Sequence, residues 1–243
     1  MLTLRRASAL KVRYLIKFTK ESHIKFIAHL DLMRTIHKVI RRSELPVAYS
    51  QGFNPHIQCS LAQPLSVGVY SEGEYMDLIL VEDMPIEEVI SRLNEKTASG
   101  IKFISAKKFI LIDNERKLPQ AMALIDACRY TIKMKYNDVN LLEKEMEELI
   151  KDEDWTTIKK SKRGETEVNI KPLVFELKYW LKDNALVLNT LLRSGSKEHL
   201  SAEALINLIK KRTSNVKEDA FIDIKREDMY FYKGEKLIPL SEV

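Results

Sequence analysis

The sequence predicts an α+β fold made of two tandem ferredoxin-like sandwich domains, each with the element order β-α-β-β-α-β. Two repeated segments indicate this arrangement. Residues 13–17 (RYLIK) are echoed by residues 129–133 (RYTIK), and residues 85–93 align with residues 201–209 at the same offset of 116. Because a strand pattern and a helix pattern share one offset, a whole domain is expected to be repeated. The predicted divisions are a tail (1–10), a first domain (11–112), a linker (113–127) and a second domain (128–243).

Periodicity places the elements of the first domain. Residues 11–20 alternate between apolar side chains and largely basic ones, which is typical of a strand with one buried face and one solvent face. Residues 29–42 carry a helical apolar stripe that ends before Leu45-Pro46, and the opposite side of that helix is charged. The remaining predicted elements are a strand (74–82), a helix (84–97, with Gly100 near its C-terminal end) and a strand (101–112).

The second domain is predicted from the same signals. Residues 182–184 (KDN) favour a tight hairpin between two strands, and Ser201 is a suitable N-cap for the helix that follows it. The predicted elements are a strand near residues 129–133, a helix (139–151), strands at 173–181 and 185–192, the helix after Ser201 and a strand (220–225).

The positive charge of the chain is concentrated near its beginning. Residues 1–60 carry 11 Lys and Arg against 3 Asp and Glu, a net charge of +8, whereas the whole chain of 243 residues has a net charge of +5. A localised cationic stretch is what a phosphate backbone attracts. A solvated helix face with no ligand explains the same composition, so both interpretations stay open at this stage.

The loop of residues 50–56 (SQGFNPH) combines groups that read RNA. Phe53 offers a surface for base stacking, while Gln51, Asn54 and His56 offer amide and imidazole groups for base edges. Gly52 permits a positive φ or close approach of a ligand. The alternative is a long structural connection in which Phe53 folds inward.

Metal and nucleophilic chemistry fit the residue spacing poorly. On a helix, His29 and Asp31 are about 200° apart, and His29 and His37 are two turns apart, so one ion does not suit them. His56 near Cys59 or Ser60 lacks a third residue to orient it. No metal and no cofactor are therefore expected, and His29 and His56 remain as candidates for acid–base chemistry.

Other features bear on partners and location. Residues 159–164 (KKSKRG) form a basic turn, and residues 193–197 (RSGSK) precede a helix where a phosphate could bind. No apolar run reaches the ~18 residues of a membrane span, and the start lacks a secretory signal pattern. The two cysteines, Cys59 and Cys128, form no paired motif, so a cytoplasmic location without membrane partners is expected.

Three segments of the first half resemble the radical SAM-linked protein family, a domain of unknown function. They are residues 29–34 (HLDLMR), 41–56 (RRSELPVAYSQGFNPH) and 64–77 (PLSVGVYSEGEYMD), and residues 168–173 (VNIKPL) are similar as well. The resemblance spans roughly residues 11–230 and implies a radical SAM partner protein and a link to RNA or ribosome modification. The sequence departs from the family pattern at Ile57-Gln58, where the family usually has Pro and a basic residue. It also lacks the three-cysteine cluster motif of the radical enzyme, so it is not expected to generate a radical.

The leading hypothesis is an accessory substrate-binding module, without activity of its own, that presents RNA or an RNA-bound protein to a radical SAM partner. Arg34, Lys38, Arg41 and Arg42 are expected to meet phosphates. The other predicted substrate-binding residues are Gln51, Gly52, Phe53, Asn54, His56 and Lys171. The alternatives are a metal-independent ribonuclease, which resembles the CRISPR precursor-RNA endonucleases in architecture only, and a purely structural protein-interaction domain.

Overall fold

The computed structural model describes residues 11–111, 118–161, 164–196 and 198–243, and the predicted tail of residues 1–10 lies outside them. The described residues form two compact units of an α+β fold. Unit 1 comprises the described part of Met1–Leu124 together with Leu240–Val243, and unit 2 comprises Ile125–Pro239. No helix among the described residues is long and apolar enough to cross a membrane.

Unit 1 is an antiparallel sheet with two long helices. Its sheet has the order β4-β1-β3, and β2 pairs with the edge of β3 that β1 leaves open. The chain continues past β4 into a short helix, α3. The elements are β1 (Lys11–Lys20), α1 (His29–Arg42), β2 (Cys59–Leu61), β3 (Val69–Leu80), α2 (Ile86–Lys96), β4 (Ile101–Leu111) and α3 (Ala121–Leu124), with short 3-10 turns at Ser22–Ile24 and Leu240–Glu242.

The core of unit 1 lies between the sheet and the two helices. Helix α1 contributes the stripe of Leu32, Ile36, Val39 and Ile40, which recurs at helical spacing and is buried. Strand β1 contributes every second side chain to the same cluster, because side chains alternate across a strand. These strand residues are Val12, Tyr14, Ile16 and Phe18, all fully buried.

The expectation that β1 has a solvent face is wrong. Arg13 is only 4% exposed and Leu15 only 2% exposed, so the second face of the strand is covered too. Arg13 donates hydrogen bonds from Nη1 to the carbonyl oxygens of Leu118 (2.7 Å) and Pro119 (3.0 Å). These two residues belong to the predicted linker (113–127), of which residues 113–117 lie outside the described chain. The residues that cover this face of β1 are distant in sequence, so the periodicity of β1 alone does not predict its burial.

Gly100 is required by the turn between α2 and β4. Its φ of +97° is one that side-chain-bearing residues rarely adopt, and an added Cβ would lie 2.7 Å from Cγ2 of Ile24. Glycine therefore allows the chain to pass close to the 3-10 turn. Helix α2 itself ends at Lys96, slightly before the predicted end.

Unit 2 is also an antiparallel sheet with two long helices. Its strand order is β10-β5-β9-β8, and β11 pairs with β10. Strands β6 and β7 form a separate two-stranded sheet. The elements are β5 (Ala127–Lys135), α4 (Leu142–Lys151), β6 (Thr156–Ser161), β7 (Gly164–Asn169), a 3-10 turn (Lys171–Leu173), β8 (Val174–Lys182), β9 (Ala185–Arg193), α5 (Ala202–Arg212), β10 (Asp223–Lys233) and β11 (Lys236–Pro239).

Several local predictions for unit 2 are confirmed. Asp183 and Asn184 both have φ of 52°, the left-handed pair that a tight two-residue hairpin needs. The Ser201 side chain accepts a hydrogen bond from the backbone N–H of Ala204 at 3.2 Å, as an N-cap does. Helices α2 and α5 have equal lengths and lie 116 residues apart, the offset of the sequence repeat.

The hairpin of β6 and β7 was not predicted as a pair of strands. It is inserted between α4 and β8, where the sequence suggests only a basic turn at residues 159–164. Residues 162–163 at its tip lie outside the described residues, so that part of the prediction stays open. The last strand is likewise longer than predicted, since β10 runs from Asp223 to Lys233.

Candidate nucleic-acid interface

Helix α1 carries its cationic side chains on one side. Arg34, Lys38, Arg41 and Arg42 follow the spacing i, i+4, i+7 and i+8, which places them on a common face at 3.6 residues per turn. All four are exposed, and the apolar stripe of the helix faces the core instead. We call these four residues the α1 cationic face.

Most of this face has no acidic partner. Arg34 Nη1 lies 2.8 Å from Asp31 Oδ1 in an exposed pair. Across the described ranges, Lys38, Arg41 and Arg42 form no ion pair. Exposed pairs contribute little to stability, so the charges on this face are not explained by a structural network. They are available to an anionic ligand.

The loop of residues 50–56, here called the Phe53 loop, is closed at its base. The backbone N–H of Ser50 donates to the His56 carbonyl oxygen at 2.8 Å, and the backbone N–H of His56 donates to Ser50 Oγ at 2.9 Å. An antiparallel bridge between Tyr49 and Ile57 continues the closure. The loop is therefore held at its ends while its tip projects outward.

The tip of the Phe53 loop is exposed throughout. Phe53 has 108% of its reference exposure, so the alternative in which it folds inward is wrong. Gln51 and Asn54 are exposed, and neither side chain has a hydrogen-bond partner within the part of the chain that the structure describes. Gly52 has a φ of +125° with open space around it, so glycine serves the backbone conformation rather than close packing.

His37 connects the loop to the helix. Burial first, and then the positive charges of Arg41 and His56, lower the pKa of His37 below its usual range. Arg41 lies one turn after His37 on α1, and His56, at the end of the Phe53 loop, is near enough to influence the His37 imidazole. His37 Nε2 is buried and has no hydrogen-bond partner among the residues described.

His29 is not brought into this group. It occupies the first turn of α1, two turns or ~12 Å along the helix from His37. It does not cap the helix either, since the N-cap residue is Ala28 and no side-chain cap bond forms. Among the described residues, no group of three or more His, Cys, Asp or Glu side chains is placed to hold a metal ion.

Cys59 is unsuited to nucleophilic chemistry with His56. Burial, followed by the nearby charge of Asp77, raises the pKa of the Cys59 thiol to about 12. Its sulfur contacts Met76 Sδ at 4.0 Å, within the unit 1 core. A thiolate would not form at neutral pH, so the structure gives Cys59 a packing role.

Lys171 lies in unit 2 with its ammonium group already engaged. Nζ donates to the carbonyl oxygens of Asp152 (2.7 Å) and Ile150 (3.3 Å) at the end of α4, and lies 3.0 Å from Glu153 Oε1. It also sits 5.9 Å from the centre of the Trp155 ring. These contacts hold the end of α4, and the predicted substrate role of Lys171 stays a prediction.

Two residues of the interface were missed by sequence reasoning. His37 was considered as a possible metal ligand, whereas its imidazole is near enough to Arg41 and His56 to be influenced by their charges. Tyr49 is 49% exposed at the base of the Phe53 loop and is a second exposed aromatic residue of this region. The position of Tyr49 immediately before residues 50–56 is the sequence feature that could have indicated its place at the site.

The chain belongs to a family described as "Uncharacterized protein conserved in bacteria (DUF2344)", whose model matches residues 13–202. Nothing in that description refers to radical SAM chemistry. The comparison with curated proteins gives no match.

Two solved structures are similar to the chain at low identity. One is titled "Crystal Structure of a Cbf5-Nop10-Gar1 Complex", with 11% identity and a TM-score of 0.48; the match covers 93% of this chain and 52% of that one. This chain thus spans about half the length of the chain it matches there. The other is a putative glycine cleavage system transcriptional repressor, with 8% identity, a TM-score of 0.20, and coverage of 83% and 88%. Nothing about the activity of this chain follows from similarity at these scores.

Proposed function

We propose that this protein is an RNA-binding accessory module that uses the α1 cationic face and the Phe53 loop. The observation that carries the proposal is that unit 1 carries exposed, mostly unpaired cations on α1 and, in the loop that follows this helix in the chain, a fully exposed aromatic ring. Cations contact the phosphate backbone without regard to sequence, and an aromatic ring stacks on an unpaired base. Gln51, Asn54 and His56 then meet base edges, which favours single-stranded RNA over a duplex.

Within the α+β class, we propose a specific fold for each unit. In each unit, the strand that follows the second long helix pairs with the first strand, which pairs in turn with the strand just before that helix. The resulting orders, β4-β1-β3-β2 and β10-β5-β9-β8, support a ferredoxin-like sandwich in each unit. This arrangement leaves the first helix and the segment after it free to carry function.

The proposed module acts with a radical SAM partner in the reduced cytoplasm. The support is the resemblance of residues 29–34, 41–56 and 64–77 to the radical SAM-linked family. Affinity purification of the full chain from its own cells is expected to recover a radical SAM protein that carries the three-cysteine cluster motif. If RNA is recovered without such a protein, the RNA-binding proposal stands and the proposed radical SAM partner is contradicted.

RNA binding is tested by filter binding of a fluorescent single-stranded RNA over a salt series. Four phosphate contacts from the α1 cationic face predict a slope of about −3 in log K against log salt concentration. A binding constant that is insensitive to salt would contradict the proposal.

The same samples, run on a denaturing gel, test the ribonuclease alternative. Intact RNA is expected, whereas cleavage that is lost in His56→Ala would establish an enzyme.

A further inference from the structure

Unit 2 contains a groove that the RNA-binding proposal does not use. Its volume is about 850 Å³, and it lies between the β6–β7 hairpin and helix α5. Apolar side chains form part of its lining, among them Val168, Ile170, Leu200 and Ala204. Ile170 and Leu200 are buried, each 3% exposed, so the groove has an apolar floor made by the structure itself.

Polar residues of α5 line the groove at regular intervals. Glu203, Asn207 and Lys211 have the spacing i, i+4 and i+8, so they follow one face of the helix over ~12 Å. All three are exposed, and their side chains have no partner within the described residues. The groove therefore presents a carboxylate toward one end, an amide in the middle and an ammonium group toward the other end.

The remaining charges of the lining cancel. Lys210 Nζ lies 2.6 Å from Glu218 Oε2, and the two form an ion pair. With Glu203 and Lys211, the groove carries two acidic and two basic groups of this kind. Among the described lining residues the acidic and basic groups are therefore equal in number, in contrast to the α1 cationic face. A ligand with charges of both signs and an apolar centre matches this lining.

We propose that this groove binds an extended peptide segment with a basic side chain at one end, an acidic side chain at the other and an aliphatic side chain between them. A strand advances about 3.3 Å per residue, so a five-residue segment spans the ~12 Å between Glu203 and Lys211. The aliphatic side chain packs on the floor near Ala204, and Asn207 binds the peptide backbone. The groove is a protein-recognition site, separate in chemistry from the RNA-binding face.

The test is a titration of the full-length, ¹⁵N-labelled protein with short blocked peptides, followed by amide chemical shifts. The probes are Ac-Lys-Ala-Leu-Ala-Glu-NH₂ and its reverse, Ac-Glu-Ala-Leu-Ala-Lys-NH₂. The comparison peptides carry Lys at both ends or Glu at both ends. At least one mixed-charge peptide is expected to shift the amides of Val168, Ala204 and Asn207, and to bind roughly 2- to 5-fold more tightly than either uniform peptide.

Substitutions of exposed residues sharpen the test. Lys211→Glu makes both ends of the groove acidic, so preference is expected to move to the peptide with two lysines. Lys217→Glu, the same charge change at an exposed site outside the groove lining, is expected to leave the preference unchanged. Equal binding of all four peptides, shifts confined to other amides, or groove shifts caused by single-stranded RNA would each overturn the proposal. The order in which the wild-type protein binds the four peptides tests the proposal even if a variant fails to fold.

Discussion

The first long helices of the two units, α1 and α4, present surfaces of opposite character. Each follows the first strand of its unit and buries an apolar stripe. The remaining surface of α1 carries four cations against Asp31 alone, whereas α4 carries four glutamates and two lysines. Both lysines of α4 lie near a glutamate one turn away, in the pairs Lys144–Glu148 and Lys151–Glu147. Two helices that follow the first strand of their units thus carry, respectively, one surface suited to phosphates and one that repels them.

A second comparison concerns the arginines that the repeat aligns. Arg13 in β1 and Arg129 in β5 each reach a residue of the neighbouring strand at an equivalent register. Arg13 Nε lies 3.4 Å from Asp77 Oδ1 with both side chains 4% exposed. Arg129 instead donates to Asn189 Oδ1 at 2.9 Å and to the half-exposed Glu176 at 2.9 Å. Unit 1 buries an ion pair where unit 2 has a hydrogen bond from an arginine to a neutral amide and a half-exposed ion pair.

The largest expected effect follows from that difference. Asp77→Ala leaves Arg13 buried without its counter-charge and removes the acceptor for the Ala121 N–H (2.8 Å), so a loss of about 3–5 kcal/mol in the free energy of unfolding is expected. Asn189→Ala removes hydrogen bonds with Arg129, Thr131 and Glu227 but removes no counter-charge, so a smaller loss of about 1.5–3 kcal/mol is expected. Urea unfolding measures both. Equal losses would contradict the distinction between the two units.

These comparisons also show what the sequence predicts and what it does not. The pattern of residues 29–42 predicts α1 and its cationic side, and Ser201 predicts the start of α5, because caps and periodicity act locally. Burial of Arg13 was not predicted, since the segment near Leu118 that covers it is distant in sequence. The influence of His56 on His37 and the engagement of Lys171 at the end of α4 also depend on long-range packing.

The next effect concerns the exposed aromatic ring. Phe53→Ala removes a stacking surface without touching the core, so RNA affinity is expected to fall by about 1–3 kcal/mol while the unfolding free energy is unchanged. Phe221→Ala, an exposed aromatic of unit 2, is the matched control and is expected to leave RNA affinity intact. Fluorescence anisotropy with a short single-stranded RNA measures both. An equal loss of RNA affinity in the two variants would contradict the role of Phe53 in binding RNA.

A smaller effect is expected from His37 as the pH changes. Its pKa in the folded state is lowered, so the unfolded chain takes up the proton first as pH falls through about 6.5. The stability associated with neutral His37 is present above this range and is lost as the pH falls. Unfolding free energies between about pH 8 and about pH 5.5 are expected to fall less steeply in His37→Gln than in the wild type.

The control for this pH series is His23→Gln, which removes an exposed histidine of the same unit. It is expected to reproduce the wild-type profile more closely than His37→Gln does. A His37→Gln profile as steep as the wild type would show that the burial of His37 does not influence stability.

The smallest effect is expected at Asp31. Asp31→Asn releases Arg34 from its exposed pair and removes the one acidic residue of α1, so RNA affinity is expected to rise by about 0.2–1 kcal/mol. Glu147→Gln in α4 removes a comparable pair in unit 2 and is expected to leave RNA affinity unchanged. Anisotropy at low salt measures the change. Weaker binding in Asp31→Asn would mean that the ion pair itself positions Arg34 for RNA.

The salt dependence of RNA binding in matched charge variants tests the central claim most directly. One variant replaces Arg34, Lys38, Arg41 and Arg42 with Gln, and its control replaces the exposed Lys144, Lys217, Lys233 and Lys236 of unit 2 with Gln. Between 50 and 200 mM salt, RNA affinity of the wild type and the control is expected to fall by about 50-fold, whereas the weakened binding of the α1 variant is expected to change little. Equal salt slopes in the two variants would contradict the assignment of RNA binding to the α1 cationic face.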